Sequence, residues 1–180
     1  TIRAIVKEVR KGNSGLVIVI SRSDNMFLRR LFEIEIPEIY DGIIEIKSIA
    51  REPGERAKIA VESQDSRIDA VGACVGMKGV RIHAIVRELN NENIDVVSYS
   101  DDPIIFIQKS LAPAKLKKIE LDEDEKKAIV TADSDQVSLI VGRNGVNIRL
   151  AMRLTGYEIE ILREEKPFEE YEEDIELIDI

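Results

Sequence analysis

The stretch from Cys74 to Leu89, CVGMKGVRIHAIVREL, sets Gly76 and Gly79 on either side of two residues and then enters an amphipathic helical pattern. The same arrangement returns 66 residues later in IVGRNGVNIRLAMRLT, from Ile140 to Thr155, where Gly142 and Gly145 take the same places. The offset of 66 also relates Val71 to Val137, Val75 to Val141, Val80 to Val146, Ile82 to Ile148 and Arg87 to Arg153. This is an internal duplication of two α/β units, each of about 70 residues.

A Gly-x-x-Gly turn between two helices permits positive φ and leaves no Cβ to hold a ligand away from the backbone. The helix after the turn aims its free N–H groups and the positive end of its dipole at the same spot. The inner residues, Met77-Lys78 and Arg143-Asn144, add a cation to each copy. Together these features describe a shallow cradle for an anion such as a phosphate. The plainer reading, that the glycines only let two helices turn, suits one copy better than two copies in the same setting. A phosphate-binding Gly-x-x-x-x-Gly-Lys-Ser/Thr loop is absent.

Outward from the glycines, the pattern predicts the order helix, strand, strand, helix, Gly-x-x-Gly, helix, strand, twice over. In the first unit, SRSDNMFLRRLFEIEIP is a helix capped at Ser23 or Asp24 and ended by Pro37. Strands GIIEIKSIA and AKIAVES come next, joined by a turn at Pro53-Gly54, and IDVVSY closes the unit. The second unit repeats this with a helix capped at Asp101 or Asp102, strands KLKKIEL and KKAIVTA, and a last strand YEIEIL after a helix cap at Gly156. Ile82, Ile85, Val86 and Leu89 mark the buried face of the helix after the first loop. Residues 1–22 read as a β-hairpin too small to stand alone. The chain begins with Thr1, so this hairpin is expected to be the end of a longer β domain. The expected segments are 1–22, a first unit at 23–100, a second at 101–163 and an acidic tail at 164–180.

Composition limits the function classes. The chain has 180 residues, is 44% hydrophobic and carries a formal charge of −9. No apolar run approaches the ~20 residues that cross a bilayer, so no membrane association is expected. With one cysteine and one histidine, neither an internal disulfide nor a Cys/His metal cluster can form. That inventory suits the cytoplasm. The negative total hides an uneven distribution. Residues 164–180 hold nine acids and one lysine, net −8, while residues 1–30 hold seven bases and two acids, net +5. Local basic patches, not the sum, decide nucleic-acid binding.

The Gly-x-x-Gly loop in this setting resembles the KH domain, whose loop clamps the backbone of single-stranded nucleic acid. An additional helix and strand before the loop resemble the prokaryotic, type II form. The stretches FLRRLFEIEIPEIYDGIIEIKSIAREPGERAKIAV, DAVGACVGMKG and LTGYEIEI further resemble the tandem KH region of the bacterial NusA family of transcription elongation and termination factors. Residues 1 to about 22 are similar to the closing hairpin of that family's preceding OB-fold. The resemblance implies an α+β fold: two tandem type II KH domains, each a three-stranded sheet with helices on one face, after an OB-fold hairpin. It implies single-stranded RNA as partner, RNA polymerase contacts through domains missing from this chain, no cofactor and a monomer. Carried onto this sequence, the RNA-binding residues are Gly76, Met77, Lys78, Gly79, Arg81, Gly142, Arg143, Asn144, Gly145, Asn147, Arg149 and Arg153.

Other residues carry plainer readings. Arg149 and Arg153 share one helix face and extend a phosphate track. Ile82, Ile148 and the strands IDVV and EIEI are read equally as groove walls or core. His83 reads as ordinary surface and Cys74 as a small buried hydrophobe. Asp65, Asp69, Asp133 and Asp135 read as helix caps in preference to metal ligands. No nucleophile, base and orienting group assemble, so no catalytic or metal residue is expected. The scarcity of aromatics, 4% with no tryptophan, argues against a stacking platform. A rival class is a protein-interaction scaffold acting through KH surfaces and the acidic tail; another is a fragment of an RNA enzyme.

Overall fold

The computed structural model describes residues 1–13 and 15–164. The expected tail at 164–180 therefore lies, apart from Glu164, outside the described residues.

Strands β1 (Ile5–Gly12) and β2 (Gly15–Ser21) form the antiparallel N-terminal hairpin. Its side chains Val9, Leu16, Ile18 and Ile20 are exposed. The hairpin is tied to the first unit by Arg22, which donates to the Glu88 carboxylate at 2.9 Å and lies over the Phe27 ring.

The first unit starts with α1 (Asn25–Glu35), capped by Asp24, whose Oδ1 accepts from the Met26 N–H at 2.9 Å. The helix ends just before Pro37, as expected, and a second short helix follows that the pattern does not show. Ile36 is extended and Pro37 opens a second short helix, α2 (Pro37–Tyr40). Proline forces its predecessor out of the helical region while its own φ suits a first helical position. Then come β3 (Ile44–Glu52), β4 (Arg56–Ser63), α3 (Ala70–Val75), α4 (Val80–Glu88) and β5 (Asn93–Ser98). The second unit repeats the order with α5 (Pro103–Ser110), β6 (Lys118–Asp122), β7 (Lys127–Asp133), α6 (Ser134–Val141), α7 (Val146–Thr155) and β8 (Glu158–Glu164). Both sheets have the same topology. The middle strand, β4 or β7, pairs antiparallel with the strand before it and parallel with the last.

Each unit has its own core between sheet and helices. Phe32, Ile59 and Ile85 lie in the first, and Ile107, Val130 and Ala151 in the second. A third core joins them. Phe106, Val146, Leu150 and Leu154 of the second unit pack on Ala50, Ala60 and Val97 of the first, with Tyr99 meeting Phe106 edge to face at 5.1 Å. The first sheet is thus covered on both faces: by its own helices, and by α5 and α7 of the other unit. Alanines at 50 and 60 let α7 approach the strands. The Ser48 hydroxyl donates to the Leu154 carbonyl at 3.1 Å in the same seam. Only residues 99–102 link β5 to α5, which leaves the units little slack.

The turn from β3 to β4 is fixed from below. Arg51 and Glu92, both buried, form a two-pronged ion pair at 2.7 and 2.9 Å, and Glu92 also accepts from the Gly54 N–H at 2.8 Å. Lys58 is equally buried and bonds Asp95 at 3.0 Å, beside a two-pronged Arg56–Asp95 pair. Burial pulls the Lys58 ammonium below its ordinary pKa, while Asp95 opposes that shift.

Candidate nucleic-acid interface

The two Gly-x-x-Gly loops have nearly the same backbone. Gly76 and Gly142 stand at φ 73° and 72°, and Gly79 and Gly145 at φ 77° and 72°. Between them Lys78 and Asn144 also take positive φ, 54° and 52°. Two glycines with one left-handed residue between them reverse the chain between α3 and α4, and between α6 and α7. A Cβ on Gly76 would meet Arg81 Cγ at 2.9 Å, and one on Gly142 would meet Asn147 Cβ at 2.6 Å. The glycines therefore serve both the dihedral and a close approach. Met77, Lys78, Arg143 and Asn144 are exposed at the tips.

Each loop is braced by the residue two positions after its second glycine, and the braces differ in chemistry. Arg81 Nη1 donates to the Ala73 carbonyl at 2.7 Å and to the Glu38 carboxylate at 3.0 Å. Asn147 is buried, and its Nδ2 donates to the carbonyls of Leu139 and Ile140 at 3.1 and 3.0 Å. Ala73 and Leu139 are themselves 66 residues apart. In both units the brace satisfies a free carbonyl at the end of the helix before the loop. Glu38 is held below the usual carboxylate range by its own backbone N–H and by Arg81. Both Arg81 and Asn147 are thus occupied within the protein.

Arg149 and Arg153 are placed beside the second loop, as their spacing suggests, but both meet Glu52 of the first unit. Arg149 bonds it through Nε and Nη2, each at 3.0 Å, and donates from Nη1 to the Asn144 carbonyl in the loop. Arg153 reaches the same carboxylate at 3.1 Å. The hydrogen bonds from Arg149 hold Glu52 below the usual carboxylate range. Nothing in the local sequence pattern points to Glu52.

On the first unit the corresponding helix face is open. Met77, Lys78, Val80, His83, Val86, Arg87 and Asn91 line a groove of about 640 Å³ beside the loop. His83, at the place of Arg149, reads as ordinary surface in the sequence alone, yet it lies in this groove together with Lys78 and Arg87. Cys74 lies fully buried beneath, its thiol pushed up to about 12 by desolvation. Asp69 caps α3 by accepting from the Val71 N–H at 3.1 Å. Among the described residues no group of three or more His, Cys, Asp or Glu side chains could hold a metal ion, and no helix is long and apolar enough to cross a membrane.

Comparison with known proteins gives this geometry its family. Residues 22–99 match the NusA-like first KH domain and residues 103–169 the NusA-like second KH domain. The chain is 47% identical over 163 residues to the transcription termination/antitermination protein NusA of Bacillus subtilis (strain 168), covering 91% of this chain and 44% of that protein. For the NusA of Thermus thermophilus the identity is 47% over 158 residues, 88% of this chain and 41% of that protein. The crystal structure of APE1850 superposes with a TM-score of 0.56 at 19% identity, covering 77% of this chain and 96% of that one, and shares the fold. The chain spans less than half the length of these NusA relatives. Matched in both halves, with its two loops repeated in register, this chain belongs to the NusA family and carries that family's tandem KH region.

Proposed function

We propose that this chain binds single-stranded RNA across its two Gly-x-x-Gly loops, without catalysis, as part of a factor that acts on nascent transcripts in termination and antitermination. The observation that carries this reading is the repeated loop: the same positive-φ backbone twice, open at its tip, with Lys78 in one copy and Arg143 in the other. Among the described residues neither cation forms an ion pair, so both are available to phosphate. Backbone N–H groups at a helix start, together with an exposed cation, recognise phosphate without reading bases. The names of the relatives, transcription termination/antitermination protein NusA, support the wider role. Contacts with RNA polymerase would fall to segments of the longer protein, and such a factor would work in the cytoplasm as a monomer.

The test compares unstructured single-stranded RNA, duplex RNA and single-stranded DNA at two salt concentrations. Single-stranded RNA should bind best, with affinity falling steeply as salt rises. No affinity for it at low salt would overturn the reading.

A further inference from the structure

Glu52 belongs to the first unit, yet its carboxylate bonds Arg149 and Arg153, the arginines beside the second loop. Its side chain is placed by more than its own rotamer. It ends β3, and the turn after it is pinned by the buried Arg51–Glu92 pair and by the Gly54 N–H on Glu92. From there it receives two parallel N–H bonds from Arg149 and a third from Arg153. Two-pronged bonding to a guanidinium is also the geometry in which a phosphate is held. The acid thus sits where a phosphodiester at the second loop would find its arginines. The first loop differs here. Its counterparts of Arg149 and Arg153 are His83 and Arg87, which make no ion pair among the described residues.

We propose that Glu52 is an internal phosphate mimic: it occupies Arg149 and Arg153 in the free protein, and RNA reaching the second loop exchanges a phosphate for the Glu52 carboxylate. This rests on the RNA-binding function proposed for the two loops. The exchange is physically modest, because the three side chains are partly exposed and the pair is open to solvent screening. It also leaves the apolar seam in place, since Val146, Leu150 and Leu154 are buried in a core of their own with the first sheet. The consequence is selective. The second loop binds RNA more weakly than its cations allow, and its occupation loosens the polar edge of the junction between the units.

The experiment uses the whole chain and a labelled, unstructured single-stranded RNA of mixed sequence, titrated at salt from about 50 to 200 mM. Glu52→Gln keeps the shape and removes the charge. It should tighten binding at the low-salt end by up to roughly tenfold. The salt slope should steepen by roughly 0.7 for each arginine that takes up a phosphate. In a chain already carrying R149Q and R153Q, the same substitution should bring no gain. If E52Q separates the units, seen by NMR as disappearance of the cross-peaks between Phe106 or Leu150 and the first sheet, then E52D replaces it. That variant draws the acid back by one methylene and should give a smaller gain in the same direction. Unchanged or weaker binding by a docked E52Q or E52D, with wild type still binding, overturns the proposal and leaves the RNA reading standing. A wild-type chain that binds no RNA removes both.

Discussion

The helices after the two loops, α4 and α7, begin from the same turn and end in opposite situations. Val80 is 60% exposed, whereas its counterpart Val146 is 4% exposed. The difference runs along one stripe of the helix. In α4 that stripe reads Val80, Ala84, Glu88; in α7 it reads Val146, Leu150, Leu154. A helix with a polar or small second face leaves a groove beside its loop. A helix with an apolar second face finds another surface, here the alanine-lined outer side of the first sheet. Duplication kept the loop and let the helix face diverge, so one unit offers an open groove and the other serves as the joint.

The largest test of that contrast concerns the turn that receives the joint. In the first unit the β3–β4 turn rests on the buried Arg51–Glu92 pair, while its counterpart in the second is held by Asp122 accepting from the N–H groups of Asp124 and Glu125. Glu92→Ala should cost about 3–5 kcal/mol, because it leaves a buried guanidinium without its partner. Asp122→Ala should cost under about 1 kcal/mol. Denaturant unfolding measures both, and equal costs would break the comparison.

Next come the stripes themselves. Leu150 is fully buried between the units, so Leu150→Ala should destabilise by about 2–5 kcal/mol. Ala84→Leu, at the matching place on the open helix, should change stability by no more than about 0.5 kcal/mol. Thermal unfolding of the two variants decides whether the second face of α7 is a true core. The braces should differ more mildly. Asn147→Ala strips buried carbonyls of their donor and should cost about 1–3 kcal/mol. Arg81→Ala leaves its half-buried partners open to water and should cost less.

The smallest effect is that of pH. Glu52 is held below the ordinary value of 4.5, chiefly by its bonds from Arg149. A depressed folded-state pKa contributes stability that is present in full above the unfolded value and is lost as the pH falls through the folded one. The polar edge of the joint should therefore weaken only below about pH 4.5, and E52Q should flatten the stability profile there. A profile unchanged by E52Q would mean that the ion pair contributes nothing to docking.

What is legible in the sequence is what the local chain dictates. A positive φ favours glycine, so the paired glycines make both loops visible. The caps at Asp69 and Gly156 are visible too, while those of α1 and α5 are narrowed to Ser23 or Asp24 and to Asp101 or Asp102. Repetition at a fixed offset then reveals the two units. Partner choice over long separations is not visible. Arg149, Arg153 and Arg81 are cations of the right kind beside each loop, but their carboxylates, Glu52 and Glu38, come from distant parts of the chain. Asn147 looks like a polar residue next to a phosphate cradle, and its burial depends on how α6 and α7 meet. Lys58 sits in a strand as if on a solvated face, and it is buried because the other unit covers that face. The docking itself does leave a trace in the sequence: Leu150 and Leu154 give α7 a second apolar side that α4 lacks.

The central claim is that one RNA strand crosses both loops, and the most direct measurement is its affinity for chains with altered loop tips. Replacing Met77-Lys78 or Arg143-Asn144 with Asp-Asp keeps all four glycines. Aspartate also tolerates the left-handed conformation at positions 78 and 144 better than most residues. Folding should survive. Either pair of substitutions should weaken binding of single-stranded RNA and flatten its salt dependence by roughly 0.7 for each phosphate no longer held, and the chain altered at both loops should lose nearly all affinity. Wild-type affinity in a folded chain with both tips altered would contradict the account and reduce the glycines to a means of turning the chain.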